Sequence, residues 1–436
     1  MIPAPIDYGL LNMAVDPASA AHAVSGAVAG WSDEDKAHPD NIDNIALFAE
    51  TAVSNAAAQA IPSSELTLDY WMLQNAAAEA EQARNAVTQV LLAEGIYASR
   101  EIRTGITLYA ADSQVISIAV DNPQQLPVER VRIENPYIAV SITKDTFAEL
   151  AEDEPLFVSA EPINARIYGL IGDGLPVLTA AASDGPLFGV KANAPVIVHF
   201  PALTGNIAYQ GVIDENGDSM ICKDNTATNT LDTPISGDAV VMIKRDNRKN
   251  FWDTQNLSAN MREAIDYLTS KGVVGGRSDT EYDPESDISR AEIATLIIRA
   301  LGKNHLNQGN GGFDDVARSD WFYDYVGATK RHGIMTGFPD NTFKGTQIID
   351  KTQIMVVISN TLVAEMAHTL PTDVEPPLTV FADRAAIPDW AARHVALAVR
   401  LNLVTRRTDG RFVPEALMSR GDAALTIQSM FKKIWY

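Results

Sequence analysis

The feature that most constrains this chain is internal: its last 186 of 436 residues carry one pattern three times. Aligning Phe251, Phe313 and Phe381 places an aromatic residue 31, 30 and 31 positions later (Tyr282, Phe343, Phe412) and a basic one 39, 38 and 39 positions later (Arg290, Lys351, Arg420). Repeats of this size cannot bury a core alone, so the copies must stack and unfold together. Each copy reads as a helix (MREAIDYLTS, FYDYVGATKRH, WAARHVALAVRL), a turn (GVVGG, GIMTG, NLVTR), a loop ending in the aromatic, and a second helix. The second helices open on Ser289, Asp350 and Ser419, followed three residues on by Glu292, Gln353 and Asp422, which is capping-box spacing or a close variant. Behind the caps, Ile293, Leu296, Ile297 and Leu301, echoed by Ile354, Val357, Ile358 and Leu362 and by Ile427 and Phe431, form apolar stripes assigned to the core.

The residue directly after each cap is out of place. Arg290, Lys351 and Arg420 set a cation against the positive end of a helix dipole, an arrangement unfavourable by about 0.3–1 kcal/mol each. Exposed backbone N–H groups beside a fixed cation suit a carboxylate or phosphate, and arginine holds such a group through two hydrogen bonds. The local alternative is that each cation pairs with its capping Glu or Asp or lies in solvent. Recurrence in all three copies favours ligand binding, with Arg290 and Arg420 ahead of Lys351, which lacks the planar fork.

The ordered set FDDV…W…GIMTG…DNTF…DKTQ, with FWD…GVVGG…DISRAE before it and FAD…W…DGRF…MSRGD after it, resembles a triplet of S-layer homology motifs. The resemblance covers 251–436 and implies an all-α, three-lobed pseudo-trimer whose inter-repeat grooves bind secondary cell-wall polymer, commonly pyruvylated glycan, without covalent attachment. It implies that Arg290, Lys351 and Arg420 meet ligand carboxylate and that Trp321 and Trp390 stack on sugar, core packing being the alternative for the tryptophans. Asp253, Asp315 and Asp383 match the family's opening Asp, with a structural role as helix cap or as support for the basic residue; Gly276 and Gly337 match a turn glycine. The copies depart from the pattern: Ala259 and Asn260 stand where copy one lacks a Trp, copy two has Lys351 for Arg, and copy three has Asn402 and Arg406 for glycines. One or two working grooves are therefore expected.

The rest of the chain is a different object. Residues 1–250 hold 14 Lys and Arg against 33 Asp and Glu, a net −19, whereas 251–436 hold 20 against 23, a net −3. Such acidity disfavours nucleic acid and other polyanions, so an anionic ligand belongs to the C-terminal part. Residues 1–42 lack periodicity and read as loops or a partly ordered arm, 43–97 as a helical segment, and 98–246 as β-rich, one or two β-sandwiches; the fold class is multidomain α+β. Asn216-Gly217 marks a tight hairpin turn. A calcium loop through Asp214, Asn216 and Asp218 fails on spacing, because Gly217 sits at the fourth loop position, Ser219 stands where an EF-hand needs its glycine and Asn225 where it needs its bidentate Glu.

No run approaches the roughly 18 apolar residues of a membrane span, and the single Cys222 excludes an internal disulfide. The opening MIPAPIDYGLLNMAVDP has no secretory character; since the resemblance implies an extracellular, wall-bound protein, a leader outside this numbering is expected. No protease, hydrolase, P-loop or metal motif is present, no cofactor is implied, and a Cys222–His199 pair is outweighed by an ordinary buried cysteine. The sequence thus points to non-covalent anchoring of a surface protein, with further copies in a lattice as possible partners. The alternative is an exported enzyme or carbohydrate-binding protein whose activity lies in 98–246, tethered by the repeats.

Overall fold

The computed structural model describes residues 4, 6–61, 65–68, 70–97, 101–110, 116–120, 128–135, 137–143, 146, 156–163, 186–226, 228–303, 309–404 and 409–434. The chain divides into two compact units, Met1–Asn247 and Arg248–Trp435. None of the described helices is long and apolar enough to cross a membrane.

The first unit begins with helices where an arm was expected. A 3-10 turn at Tyr8–Met13 leads into α1 (Pro17–Ala27), α2 (Asp33–Ala37) and α3 (Pro39–Ala56). Their signal is capping rather than periodicity. Asp16 and Ser19 form a reciprocal capping box with Pro17 at the first helical position, and Ser32 and Asp35 form another, within the SDEDK stretch taken for loop. Ala20, Ala23, Val24 and Ala27 of α1 are buried, and α1 packs on α3 and on α4 (Tyr70–Ala93). The expected helical segment is interrupted by two strands, β1 (Gln59–Ile61) and β2 (Glu65–Leu68). Ile61 precedes Pro62, which disfavours helical backbone at that position.

Twelve further strands follow: β3 (Gly105–Ala110), β4 (Ile116–Val120), β5 (Arg130–Glu134), β6 (Ala139–Thr143), β7 (Leu156–Ile163), β8 (Leu187–Ala192), β9 (Val196–Pro201), β10 (Gly211–Asp214), β11 (Ser219–Met220), β12 (Lys223–Asn225), β13 (Thr230–Ile235) and β14 (Ala239–Lys244). They form two seven-stranded sheets, ordered β1-β3-β5-β6-β9-β13-β12 and β11-β10-β14-β8-β7-β4-β2. Most pairs are antiparallel, but β1–β3, β3–β5 and β2–β4 are parallel. Alternation places Val131, Ile133, Val140, Ile142, Val198 and Phe200 in one apolar cluster with Val158, Val190, Val241 and residues of α1, α3 and α4. Helical and β segments therefore share one core. The expected hairpin is present: Val212 pairs with Met220 and Ile213 with Ser219, Gly217 has φ 84°, and the Asp214 carboxylate accepts the N–H groups of Asn216 and Asp218 at 2.9 Å. That carboxylate fastens the turn.

In the second unit the first helices are Ala259–Ser270, Tyr323–Arg331 and Asp389–Arg400, and the second helices Arg290–Ala300, Lys351–Met366 and Arg420–Phe431. Each second helix packs on the first helix of another copy: copy one's on copy two's, two's on three's, three's on one's. The residues ahead of the caps make the same circuit: Ile288 N–H donates to Met418 O (2.9 Å), Met418 to Ile349 O (3.3 Å) and Ile349 to Ile288 O (3.1 Å). The copies thus close a ring of contacts.

Candidate functional site

Within each copy the opening Phe packs on the loop aromatic, with centroids 5.6 Å apart for Phe251–Tyr282, 5.5 Å for Phe313–Phe343 and 5.2 Å for Phe381–Phe412. The opening Asp does not cap a helix. Its carboxylate accepts two successive loop amides: Tyr282 and Asp283 on Asp253, Phe343 and Lys344 on Asp315, Phe412 and Val413 on Asp383. The second amide each time belongs to a residue in the left-handed region, with φ 64°, 57° and 54°. The carboxylate supplies the hydrogen bonds that hold this turn. For Asp383 burial works against ionisation, but the Phe412 and Val413 amides outweigh it and hold the carboxyl below its ordinary value.

The turn glycines serve the same nest. A Cβ on Gly276 would lie 2.3 Å from Glu281 O and 2.5 Å from the Phe251 ring; on Gly337, at φ 77°, it would lie 2.2 Å from the Phe313 ring. Gly337→Ala is expected to destabilise the unit by about 2–3 kcal/mol, from left-handed strain and overpacking, a shift that urea denaturation of the full chain would register; unchanged stability would mean that the ring has room to retreat. Arg406, the counterpart in copy three, lies outside the described residues. Asn402 keeps the helix-ending left-handed conformation of Gly272 and Gly333, with φ 56° against 71° and 68°, so this departure leaves the backbone intact.

The three cations are not exposed. Arg290, Lys351 and Arg420 are 7–8 % accessible, and each reaches the loop aromatic of another copy: Arg290 over Phe343 (5.1 Å), Lys351 over Phe412 (4.9 Å), Arg420 over Tyr282 (5.0 Å). The two arginines also donate through Nε to those aromatics' carbonyls, at 3.0 Å to Phe343 and 3.1 Å to Tyr282. The helix-start amides expected to face an anion are taken: Arg290 and Ala291 donate to Gln347 and Gly345, Lys351 and Thr352 to Ala416 and Pro414, Arg420 and Gly421 to Ser286 and Pro284. The anion that these helix ends meet is the partial charge of another copy's loop carbonyls. This corrects the expectation of open amides and accounts for the tolerated cations without a ligand.

An open site nevertheless exists where the copies meet. A cavity of about 200 Å³ is lined by Gly276, Arg277 and Glu292 of copy one, Trp321 of copy two and Arg420 of copy three. Trp321 and Trp390 are 61 % and 60 % exposed, which rules out core packing for both. Leu296 of the core stripe also lines the cavity, whereas Ile293, Ile297 and Leu301 are buried. Glu292 ties the cavity wall together: its Oε2 accepts the Ser289 amide (2.8 Å), completing the capping box, while Oε1 accepts Arg420 (3.0 Å) and Arg277 (2.8 Å). Burial would raise its carboxyl; the Ser289 bonds and two arginines keep it below its ordinary value. Arg277 escaped the sequence reading, although its place directly after Gly276, where copy two has Phe338, was the available signal.

The β unit holds a constellation that no spacing disclosed. On neighbouring strands β6, β9 and β13, Ser141 Oγ lies 2.6 Å from His199 Nε2 and His199 Nδ1 lies 2.7 Å from Asp232 Oδ1, with Thr230 (2.6 Å) and Asn225 (3.1 Å) donating to the same carboxylate. Both ring nitrogens of His199 are engaged, so the thiol–imidazole pair with Cys222 is not formed. The order matches a serine nucleophile triad, but Ser141 is fully buried and His199 is 1 % accessible, so neither is open to a substrate carbonyl in this structure. Here the geometry satisfies buried polar groups.

Against known proteins, residues 250–294, 312–353 and 380–424 match the S-layer homology domain model. The chain is similar to the exoglucanase XynX of Acetivibrio thermocellus (28 % identity over 39 % of this chain), the surface-layer 125 kDa protein of Lysinibacillus sphaericus (25 % over 42 %) and the middle cell wall protein of Brevibacillus brevis (32 % over 24 %). The matches run through the repeats. They span 15 %, 15 % and 10 % of those relatives' lengths, far less than the whole of any of them. The C-terminal unit of this protein carries three tandem matches to the S-layer homology domain.

Proposed function

We propose that the C-terminal unit anchors the protein non-covalently to the bacterial cell wall by binding an anionic, carboxylate-bearing wall polysaccharide, as a pyruvylated polymer would be. The observation carrying this reading is the cavity where an exposed indole, Trp321, faces the arginines Arg277 and Arg420 across the copies. An aromatic face for a sugar ring and guanidinium groups for a carboxylate are what such a polymer requires. Relatives bearing these repeats are named both as a glucan hydrolase and as surface-layer proteins, which favours assigning the shared repeats a role independent of the bodies they carry. The protein would then reside at the cell surface, with the first unit projecting from the wall.

The copies are unequal. The position matching Trp321 and Trp390 is Ala259 or Asn260 in copy one, and Lys351 replaces arginine, so a site built on those two residues lacks both indole and fork. Trp321→Ala in the full chain is expected to weaken retention on purified cell walls about tenfold, as loss of one stacking face would, without moving the melting temperature, because the side chain is exposed. Wild-type protein that washes off purified walls at low salt would overturn the anchoring role.

A further inference from the structure

Three arginines line the copy-one cavity: Arg299 is half-buried, with a terminal nitrogen donating to Gly272 O at 2.8 Å, and the other two have different duties. Arg420 is 9 % exposed at its side chain, and its guanidinium is committed: Nε to Tyr282 O, one terminal nitrogen to Glu292, the plane against the Tyr282 ring. Arg277 is 45 % exposed at its side chain and reaches the same Glu292 oxygen from the open side. One carboxylate cannot neutralise two guanidinium groups. Asp283, 3.5 Å from Arg277 Nε and 37 % exposed, is screened by solvent and adds little. In copy two the matching position holds Phe338, whose ring covers Arg290 at 4.7 Å, so an aromatic lid stands where copy one presents a cation.

We infer that Arg277, not Arg420, is the cation through which the copy-one cavity reads acidic groups of the polymer, and that it distinguishes this cavity from copy two's as a site for carboxylated sugar units. Arg420 positions Glu292 and joins the copies; Arg277 meets the ligand beside Trp321. The inference rests on the reading that this cavity binds wall polysaccharide.

The test uses the full chain, with wall polysaccharide released from peptidoglycan as probe, native and after carbodiimide–borohydride reduction of its carboxyl groups. Arg277→Phe, which installs the copy-two residue, and Arg277→Gln, which keeps a donor for Glu292, are both expected to bind native polymer about tenfold more weakly, with a flatter salt dependence, unchanged binding of reduced polymer and an unchanged melting temperature. Native-polymer binding by both variants equal to wild type would overturn the role of Arg277. Wild type that binds native and reduced polymer equally would overturn carboxylate reading while leaving the cavity as a glycan site. Wild type that binds neither would overturn the anchoring function and this inference with it.

Discussion

Arg420→Ala is expected to destabilise the C-terminal unit by about 3–5 kcal/mol, because it removes two charge-assisted hydrogen bonds and a stacked cation from a nearly buried position between copies. In a unit of this size that corresponds to a fall in melting temperature of about 10 °C. The residue bridges the ends of the repeat array: its Nε–H donates to Tyr282, 138 positions earlier, and the Tyr282 hydroxyl donates back to Arg420 O at 3.4 Å. Burial pushes that phenol up to about 12, so it stays a donor throughout the accessible pH range. Arg420→Lys, retaining charge without the fork, should fall between the two. Differential scanning calorimetry decides the matter: an alanine variant melting like wild type would mean that the seam is held by helix packing alone.

The second large effect lies in the β unit. His199→Ala would take one charge-assisted hydrogen bond from the buried Asp232 carboxylate and leave a cavity, a loss of about 3 kcal/mol. The same network makes this unit acid-sensitive. Burial, reinforced by the neighbouring Arg132 and Arg130, holds the His199 pKa below its ordinary value. Between that depressed value and about 6.5 the unfolded chain binds a proton that the folded chain refuses, so stability is complete above about pH 6.5 and declines as pH falls below it. Asp232 sits below the ordinary carboxylate range despite burial, held there by the donors His199, Thr230 and Asn225 and by Arg132. Its contribution is lost only below about pH 4. Urea titrations at pH 7.5, 6.0 and 5.0 should show the decline in wild type and not in His199→Gln; a flat wild-type profile would contradict a neutral, buried imidazole.

Side-chain patterns were legible in the sequence and backbone partners were not. Equal offsets between Phe, loop aromatic and cation revealed the repeat, its helices and its caps, and the turn glycines and opening aspartates stood out by their matching positions. What those residues touch was hidden, because the carbonyls of Ser286, Gln347 and Ala416 that receive the helix-start amides leave no mark in residue type. The cations were accordingly read beside open amides, whereas those amides are taken and the cations are buried. In the first unit, α1 and α2 are too short to show a period and are specified by Asp16 and Ser32 at their caps. Strands β8 and β13 carry weak strand signals, because LFGVKA holds Gly189 and TLDTPI holds Asp232 and Pro234. Pro234 is tolerated since the partner strand β12 pairs only as far as Asp232, leaving no ladder bond on that side to lose.

The exchange of amides and carbonyls between copies also limits how such a unit can be inherited or rebuilt. Each copy gives two helix-start amides to one neighbour's loop and receives two from the other, so donors and acceptors balance only when the circuit closes. Removing one copy would leave a pair of unsatisfied amides at one break and a pair of idle carbonyls at the other, and a fourth copy would find every such group engaged. The heritable element is therefore the triplet. Transfer of this unit between proteins, in evolution or in the laboratory, should succeed for the whole of residues 248–435 and fail for single copies cut from it.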